Sequence, residues 1–562
     1  MKTNDNEMRF RWFTAGMIVV LGFIAYANTF AGEFVWDDAS SILLHRHVQD
    51  PSKIGQLFLE DQHAFGRGQG NFYRPLLSVS FMADYAWAFG GQIEDGVPQP
   101  AVFPFHLTNT LLHVGAALWL LALLCRVGAP RFVCAAAPLV WVVHPLHTGA
   151  IAYISGRGDP MAAFFVFAAL WFALWEGSPR RRISGVALSG FFFVAGLLSK
   201  ESALVLPFLY VPLLLGAPTR GGARPDRRVW VSRLPALGVM AAILAVYAGL
   251  RTTVLHFASD SVMPSAGFGT RLLETGQALA LYLKLMVVPA GLHMERTLEG
   301  VPVWVGFVGL VSAAAMVALC ALAWRRGYYR IAIGGAWFFI TWFPISGLIP
   351  LNAPMAEHWL YVPLAGLVWM TLECLALVWR PQRAPVAAYC AVILCCLVLL
   401  AMTVDRNRDW RSNEALYTAT LQRNPKSIRV HYNLAATYQD LLDNPAGARR
   451  HFERVIELYE DKKGAEGLEP TIFWNDELEA HLSLGEILSE LRPHEAMRHY
   501  ATVLSITPTP DTAAMVGMAA FGMGRCSLQL DQPAQARRFF EKAVEFLPEL
   551  RPEVERMLAR PA

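Results

Sequence analysis

The sequence has few cysteines, and none of the eight follows a spacing typical of a metal site or a disulfide framework. Seven lie in or beside hydrophobic segments and Cys526 lies in the polar C-terminal part, so we interpret all of them as packing residues. No long basic run is present, which argues against a nucleic-acid-binding protein. The net charge of +3 indicates no class of partner by itself.

Apolar residues, in contrast, are abundant. They make up 54% of the chain and the mean hydropathy is +0.35. Soluble domains are about 45–50% apolar by a count that also includes glycine, so the sequence predicts an integral membrane protein. The first apolar segment, Phe13 to Phe30, is long enough to cross a bilayer. A cleavable signal peptide is the alternative, but the many later apolar segments favour an uncleaved first helix.

Further apolar spans are predicted near 105–125, 131–147, 160–176, 183–198, 203–216, 231–252, 301–323, 330–350, 357–379 and 383–403. Arginines cluster in five of the short connections between them. If the N-terminus is cytoplasmic, eleven crossings place all five clusters inside, as the positive-inside rule requires. This count requires the segment 272–289, which contains Glu274 and Lys284, not to cross. The C-terminal part then lies outside, and the membrane expected is a bacterial inner membrane.

We therefore predict an all-α protein with two domains. Residues 1–403 form a membrane domain with about eleven transmembrane helices and a first external loop over 31–104, whose apolar run from Leu76 to Phe89 predicts an interfacial helix. Residues 404–562 are polar and repetitive. Gly524, Ala536, Phe540, Ala543 and Pro548 follow tetratricopeptide spacing, and two looser units precede them. About three repeats suffice for a short solenoid, with an unrelated helical bundle as the alternative.

Asp37 and Asp38 follow the first predicted span, where the chain leaves the membrane. Two adjacent carboxylates repel each other, which raises the pKa of one of them. Either is a candidate general base for a substrate hydroxyl. The alternative is a helix cap, in which a carboxylate accepts the free N–H groups of the next helix.

Two polar clusters accompany the third crossing. His144 and His147 are spaced to bind a metal together, but no third ligand is near in sequence, and hydrogen bonding at a helix end is the favoured interpretation. Arg157 lies in the next predicted external loop, where its guanidinium suits a phosphate. An ordinary turn with an Arg157–Asp159 pair is the alternative.

Two further clusters interrupt apolar sequence. Lys200 and Glu201 lie within the run from Gly190 to Leu215, and ionised groups at membrane depth cost about 2.5–3.5 kcal/mol each, so they mark a cavity or a functional site. A short external turn with a solvated ion pair is the alternative. Glu357 precedes His358 and Tyr361 at the start of the tenth predicted crossing, where a capping role is the simple interpretation.

Several motifs in this order resemble the transmembrane-and-tetratricopeptide-repeat (TMTC-type) O-mannosyltransferases and their bacterial relatives, which have the GT-C glycosyltransferase fold. The motifs that carry the resemblance are Trp36-Asp37-Asp38, Tyr73-Arg74-Pro75-Leu76, Phe105-His106-Leu107-Thr108-Asn109 with Leu112-His113, His144-Pro145-Leu146-His147-Thr148, Ser155-Gly156-Arg157 with Asp159, Leu198-Ser199-Lys200-Glu201, and Glu357 with Leu360-Tyr361-Val362-Pro363. Each motif alone is weak, and the ordered set covers most of the chain. Two positions depart from the family pattern: Gly149 stands where an acid is usual, and His358 where a basic residue is usual.

The resemblance implies inverting transfer of a sugar, with mannose expected, from a polyprenyl-phosphate donor to a hydroxyl of a protein or peptide at the external face. It implies Asp37 or Asp38 as the base, and Arg157, Lys200, Arg74 and His358 as phosphate-binding residues. The repeats are expected to hold the acceptor. We predict no metal held by the protein, and leave open whether a divalent cation accompanies the donor.

Two rival functions stay open at this point. The same donor chemistry could serve a glycolipid or cell-envelope glycan, with the repeats only recruiting partners. The chain could also be a membrane-anchored repeat scaffold without activity. Asp37, Lys200 and Glu201 argue against a scaffold, because an anchor does not need costly charges beside apolar spans. A transporter is disfavoured because no matching Gly/Pro-broken segments occur in two halves.

Overall fold

The computed structural model describes residues 2–65, 71–88, 101–218, 225–253, 255, 267–349, 351, 353–379, 385–466, 474–510 and 512–559. Parts of the predicted loop 31–104 therefore lie outside the described residues. The described chain is helical, without a β-strand and with one isolated bridge between Arg296 and Met355. The predicted all-α class is confirmed. The chain divides into two compact units, Met1–Ser412 and Asn413–Ala562.

The first unit contains fourteen described α-helices. They are α1 Lys2–Tyr26, α2 Pro75–Ala88, α3 Phe103–Arg126, α4 Arg131–Val142, α5 Thr148–Ile151, α6 Gly158–Ala173, α7 Pro179–Leu197, α8 Leu206–Gly216, α9 Arg227–Thr253, α10 Phe268–Val287, α11 Val303–Arg325, α12 Tyr329–Trp342, α13 Tyr361–Trp379 and α14 Pro385–Asn407. Glycines allow α10 and α11 to approach closely, because a Cβ on Gly276 would overlap the carbonyl oxygen of Gly306. Small residues at such crossings are typical of helix pairs in membranes.

Six described helical segments are long and apolar enough to cross a membrane. They are Asp5–Thr29, Phe103–Arg126, Arg227–Thr253, Val303–Arg325, Glu357–Trp379 and Pro385–Trp410. A seventh crossing is possible if the bent pair Arg131–Val142 and Pro145–Ile151 is one span. These helices support an integral membrane protein. The count of eleven crossings is not confirmed and stays a prediction, since predicted spans such as 203–216 form shorter helices.

The second unit consists of helix pairs. Its described helices are α15 Asn413–Leu421, α16 Ile428–Asp440, α17 Pro445–Glu466, α18 Trp474–Leu488, α19 Pro493–Leu504, α20 Ala513–Gln529, α21 Pro533–Phe546 and α22 Arg551–Leu558. In two pairs a glycine faces an aromatic ring: a Cβ on Gly485 would lie 2.5 Å from Tyr500 Cε1, and one on Gly524 would lie 2.5 Å from Phe540 Cε1. The small–aromatic pattern predicted from the sequence therefore forms contacts between paired helices. The assignment as tetratricopeptide repeats stays a prediction.

The predicted domain boundary at 403/404 falls inside α14, which continues to Asn407. The last turns of this helix are polar but stay within the first unit, because their side chains bond to neighbouring backbone. Thr403 Oγ1 donates to the carbonyl of Val143 at 2.7 Å, and Asn407 Nδ2 donates to the carbonyl of Ala25 at 2.7 Å. The polar composition that marks a domain change in the sequence therefore begins before the compact unit ends.

Candidate functional site

The Asp pair lies in a loop that is held tightly against a distant segment of the chain. Asp38 is fully buried, and its two carboxylate oxygens accept the backbone N–H groups of Val35 at 2.9 Å and Ser155 at 2.7 Å. Trp36 has a φ of 54°, a left-handed conformation that is costly for a bulky residue and is typical of functional sites. The loop is therefore fixed to the segment that follows α5.

The capping interpretation does not account for Asp38. The residue stands at the N-cap position of a short helical turn, Ala39–Leu43, but its side chain makes no capping hydrogen bond there. Its bonds instead reach back to Val35 and across to Ser155. Burial raises the pKa of Asp38 to about 7, against the lowering effect of these hydrogen bonds.

Asp37 has a different environment from its neighbour. Its side chain is half-buried, whereas that of Asp38 is inaccessible. It interacts with the hydroxyl of Tyr153, and its charge acts on the imidazole of His63. Of the two carboxylates, only Asp37 is exposed to an incoming hydroxyl.

Three aromatic rings form a stack beside Asp37. Trp36 and Tyr153 have ring centroids 5.4 Å apart at 25°, and Tyr153 and Trp410 are 5.4 Å apart at 27°. Sequence reasoning did not find Tyr153, Trp410 or His63 as site residues. Trp410 comes from beyond the end of α14, and no local sequence pattern connects it with Trp36.

Two ion pairs, Lys200–Asp159 and Arg74–Glu201, involve residues at or near the end of the segment 153–159, beyond the contact of Ser155 with Asp38. Lys200 Nζ contacts Asp159 Oδ1 at 2.6 Å. The Arg74 guanidinium contacts Glu201 Oε2 at 2.8–2.9 Å. The charges of Asp159, Lys200 and Arg74 all act on His358, so these predicted residues are brought together. Asp159 and Glu201 are therefore the ion-pair partners of two of the predicted cations, Lys200 and Arg74.

Arg157 is placed differently from the other predicted phosphate ligands. It is fully buried and forms an ion pair with Asp84 at 2.5 Å. Its remaining N–H groups donate to Asn109 Oδ1 at 2.6 Å, Ser80 Oγ at 3.0 Å and the carbonyl of Phe105 at 2.9 Å. With its donors bound inside the protein, the geometry favours a structural role for Arg157 over a phosphate contact.

Glu357 accepts from an arginine rather than capping its own helix. Its Oε1 is 2.6–2.7 Å from the guanidinium of Arg296 and accepts the backbone N–H of His293 at 2.7 Å. Arg406 lies 3.7 Å from the second oxygen, Oε2. Glu357 therefore joins the start of α13 to the connection before α11 and to the end of α14.

The predicted histidines lie in a buried aromatic cluster. His144 Nε2 contacts the carbonyl of Met286 at 3.2 Å. The His147 ring packs 4.5 Å from that of Tyr361, whose hydroxyl is 2.6 Å from His113 Nδ1. Nowhere in the described part of the chain do three His, Cys, Asp or Glu side chains converge as metal ligands. The pair therefore gives no support to a metal centre.

Comparisons with known proteins identify similar sequences over most of the chain. Protein O-mannosyl-transferase TMTC3 of Mus musculus is 21% identical over 530 residues, covering 88% of this chain and 54% of the relative. TMTC4 of the same species is 25% identical over 490 residues, covering 75% and 64%. Protein O-mannosyl-transferase F38B6.6 of Caenorhabditis elegans is 21% identical over 440 residues, covering 75% and 60%. The predicted resemblance to TMTC-type protein O-mannosyltransferases is confirmed.

The similarity covers only part of each relative. The chain spans between about half and two thirds of the length of these curated relatives. No family model matches the sequence, and no solved structure matches it.

Proposed function

We propose that the protein is a glycosyltransferase that moves a sugar, with mannose expected, from a polyprenyl-phosphate donor to a Ser or Thr hydroxyl of a protein. The names of its relatives support transfer to protein. One observation carries the proposal for the site. The segment 153–159 binds Asp38 through Ser155 N–H and Lys200 through Asp159, which joins the carboxylates to the cations.

In the proposed reaction Asp37 is the general base and Asp38 positions it. The acceptor hydroxyl transfers its proton to Asp37 while its oxygen forms a bond to the anomeric carbon. The bond between that carbon and the phosphate oxygen breaks on the opposite face, so the configuration inverts. Asp38 keeps Asp37 in place because its two hydrogen bonds fix the loop to Ser155.

The departing phosphate is stabilised by the cations Lys200 and Arg74, and His358 beside them supplies a neutral hydrogen-bond donor. The Lys200 ammonium has three donors, and Asp159 accepts one of them in the structure. Arg74 Nη1 donates to Gln62 Oε1 at 3.1 Å while the other nitrogens face Glu201. Cations held in place by such pairs favour charge that develops in the transition state, because they need little reorganisation. Arg157 is left out of this group because its donors are bound internally.

The architecture that goes with this function is a GT-C membrane domain with eleven crossings and a C-terminal solenoid of three tetratricopeptide repeats. The protein lies in a bacterial inner membrane, with the N-terminus cytoplasmic and the Asp37 loop and the repeats on the external side. The arginines of the short connections support this orientation. The repeats bind the acceptor protein. Assays with and without a divalent cation decide whether one accompanies the donor.

The test uses purified full-length protein and a panel of polyprenyl-phosphate sugars. Transfer to a Ser/Thr peptide that is lost in Asp37→Asn supports the proposal. Transfer to a glycolipid but not to any peptide assigns the alternative acceptor. If a folded sample shows no transfer and no donor hydrolysis with any sugar, the result contradicts an enzyme and favours the scaffold.

A further inference from the structure

A cavity of about 1180 Å³ lies at the opposite ends of the helices that carry the Asp37 site. Glu7 and Arg11, in the first half of α1, line the cavity, whereas Asp37 follows the end of that helix. Helix α3 begins beside the Asp37 loop, where His106 Nε2 would be 3.6 Å from a Cβ on Gly32, and ends at Arg126 in the cavity wall. His106 and Arg126 are about 30 Å apart along the helix. The cavity is therefore separate from the proposed transfer site.

Arginine outnumbers glutamate around this cavity. The lining arginines are Arg11, Arg126, Arg181, Arg233 and Arg330, and the lining glutamates are Glu7, Glu176 and Glu373. All three glutamates already have arginine partners. Arg233 pairs with Glu176 at 2.7 Å, Arg330 with Glu373 at 2.9 Å, and Arg131, outside the lining, with Glu7 at 2.5 Å. Within the described ranges, neither Arg11 nor Arg181 has a carboxylate partner.

The positive charge extends into the buried part of the wall. Arg233 is only 5% exposed, and its Nε has no hydrogen-bond partner among the described atoms. Arg126 donates through Nε to the carbonyl of Leu174 at 3.0 Å and lies 5.6 Å from the ring of Trp171. Glu176 already compensates Arg233, so the surplus positive charge comes from Arg11 and Arg181, which line the cavity and are also exposed to solvent. A wall with this surplus suits an anionic ligand.

Apolar side chains form the remaining wall. Met8 and Trp12 on α1 line the cavity and are also 55% and 74% exposed at the protein surface. Leu118 and Leu121 on α3 and Leu377 on α13 continue the apolar lining. A tryptophan at one end of a membrane helix is typical of the bilayer interface. The cavity thus combines a cationic region with an apolar path that reaches the lipid-exposed surface.

We propose that this cavity binds the phosphate headgroup of an anionic phospholipid on the membrane face opposite Asp37. A guanidinium matches phosphate oxygens in a bidentate arrangement, and Arg11 and Arg181 supply two such groups. The apolar wall accommodates the start of an acyl chain. Basic pockets between transmembrane helices recognise anionic headgroups in this way. The site does not depend on the glycosyltransferase activity.

The arginines of the cavity differ from neighbours that only mark membrane orientation. Arg9 and Arg180 lie close to Arg11 and Arg181 in sequence and are exposed like them, but neither Arg9 nor Arg180 lines the cavity. This gives a matched pair of double variants. Arg11→Gln/Arg181→Gln removes two charges from the cavity, and Arg9→Gln/Arg180→Gln removes two charges from the same segments without touching it.

The experiment is native mass spectrometry of the delipidated full chain. The probes are phosphatidylglycerol, phosphatidylcholine with the same acyl chains, and inorganic phosphate. We expect phosphatidylglycerol to bind the wild type at least about tenfold more tightly than phosphatidylcholine, which corresponds to about 1.4 kcal/mol. The cavity variant should lose this preference. The control variant should keep it, and Arg11→Lys/Arg181→Lys should recover part of it.

Several outcomes overturn the proposal. Equal loss in both glutamine variants means that general surface charge attracts the lipid. Equal binding of the two lipids means that the net negative charge of the headgroup is not recognised. Binding of inorganic phosphate, with no preference for phosphatidylglycerol, assigns a free-anion site instead. Thermal unfolding of each variant is measured in parallel, and the single variants Arg11→Gln and Arg181→Gln replace the double variant if it does not fold.

Discussion

Replacing each member of the Asp pair by asparagine should separate catalysis from positioning. Asp37→Asn removes the proposed base while keeping its shape. We expect turnover to fall by roughly 10²–10⁴-fold, the usual range for loss of general acid–base catalysis. Because Asp37 is half-buried rather than enclosed, stability should change by no more than about 0.5 kcal/mol.

Asp38→Asn should instead change how stability depends on pH. Burial raises the pKa of Asp38 from an ordinary 3.8 to about 7, so the folded state holds this proton more tightly than the unfolded chain. The stability from this group is fully present below about pH 4 and is lost as the pH rises toward 7. The difference corresponds to about 4 kcal/mol. Asparagine does not titrate, so the variant should lack this contribution.

The assay measures single-turnover sugar transfer and thermal unfolding of the same samples at pH 5 and pH 8. Wild type and Asp37→Asn should both lose stability between these pH values by more than Asp38→Asn does. Asp37→Asn thereby serves as the matched control, since it removes one carboxylate from the same loop and leaves Asp38 in place. Normal turnover in Asp37→Asn, or an unchanged pH dependence in Asp38→Asn, would refute the division of roles between the two carboxylates.

Four further changes test other parts of the site. Arg157→Met should destabilise the fold by about 3–5 kcal/mol in thermal or chemical unfolding, because Asp84 loses its buried partner; unchanged stability would return Arg157 to the phosphate site. Lys200→Met should lower turnover about 10–100-fold while Lys200→Arg retains most of it, as expected for loss of a charged hydrogen bond, and equal rates would exclude a charge role. Trp36→Ala should lower kcat/KM up to about tenfold through loss of ring stacking, and an unchanged value would make the stack incidental. A reporter fused after Ala562 should be active only outside the cytoplasm, and cytoplasmic activity would reverse the orientation.

Local sequence patterns were enough to predict the helical class and the position of the Asp pair along the chain. Continuous apolar composition is enough to predict a helical membrane protein, because a backbone in lipid must satisfy its hydrogen bonds internally. The position of Asp37 and Asp38 just after the first helix also follows from the chain order. Lys200 stands out in the sequence because a charge within an apolar run requires a partner, and Asp159 provides it.

The partners themselves depend on tertiary contacts, which no local pattern reveals. Arg157 and Lys200 have similar sequence settings, each beside a short apolar span. Yet Arg157 is enclosed because Asp84 and Asn109 converge on it from α2 and α3. Trp410 reaches Tyr153 only because α14 returns to the Asp37 side of the unit. The roles of Arg157 and Trp410 therefore depend on contacts between residues that are far apart in sequence.

The two departures from the family pattern are neighbours in the structure. A Cβ on Gly149 would lie 3.8 Å from Cβ of His358 and 3.4 Å from the ring of Trp410. An acid at the first position would therefore stand beside a base at the second, as an ion pair. This chain lacks both charges together, so the net charge near Lys200 is the same as with the pair present. Losing only one would leave an uncompensated charge in a half-buried site, which costs more than losing both. We therefore interpret the missing acid at Gly149 and the weaker base at His358 as one paired departure.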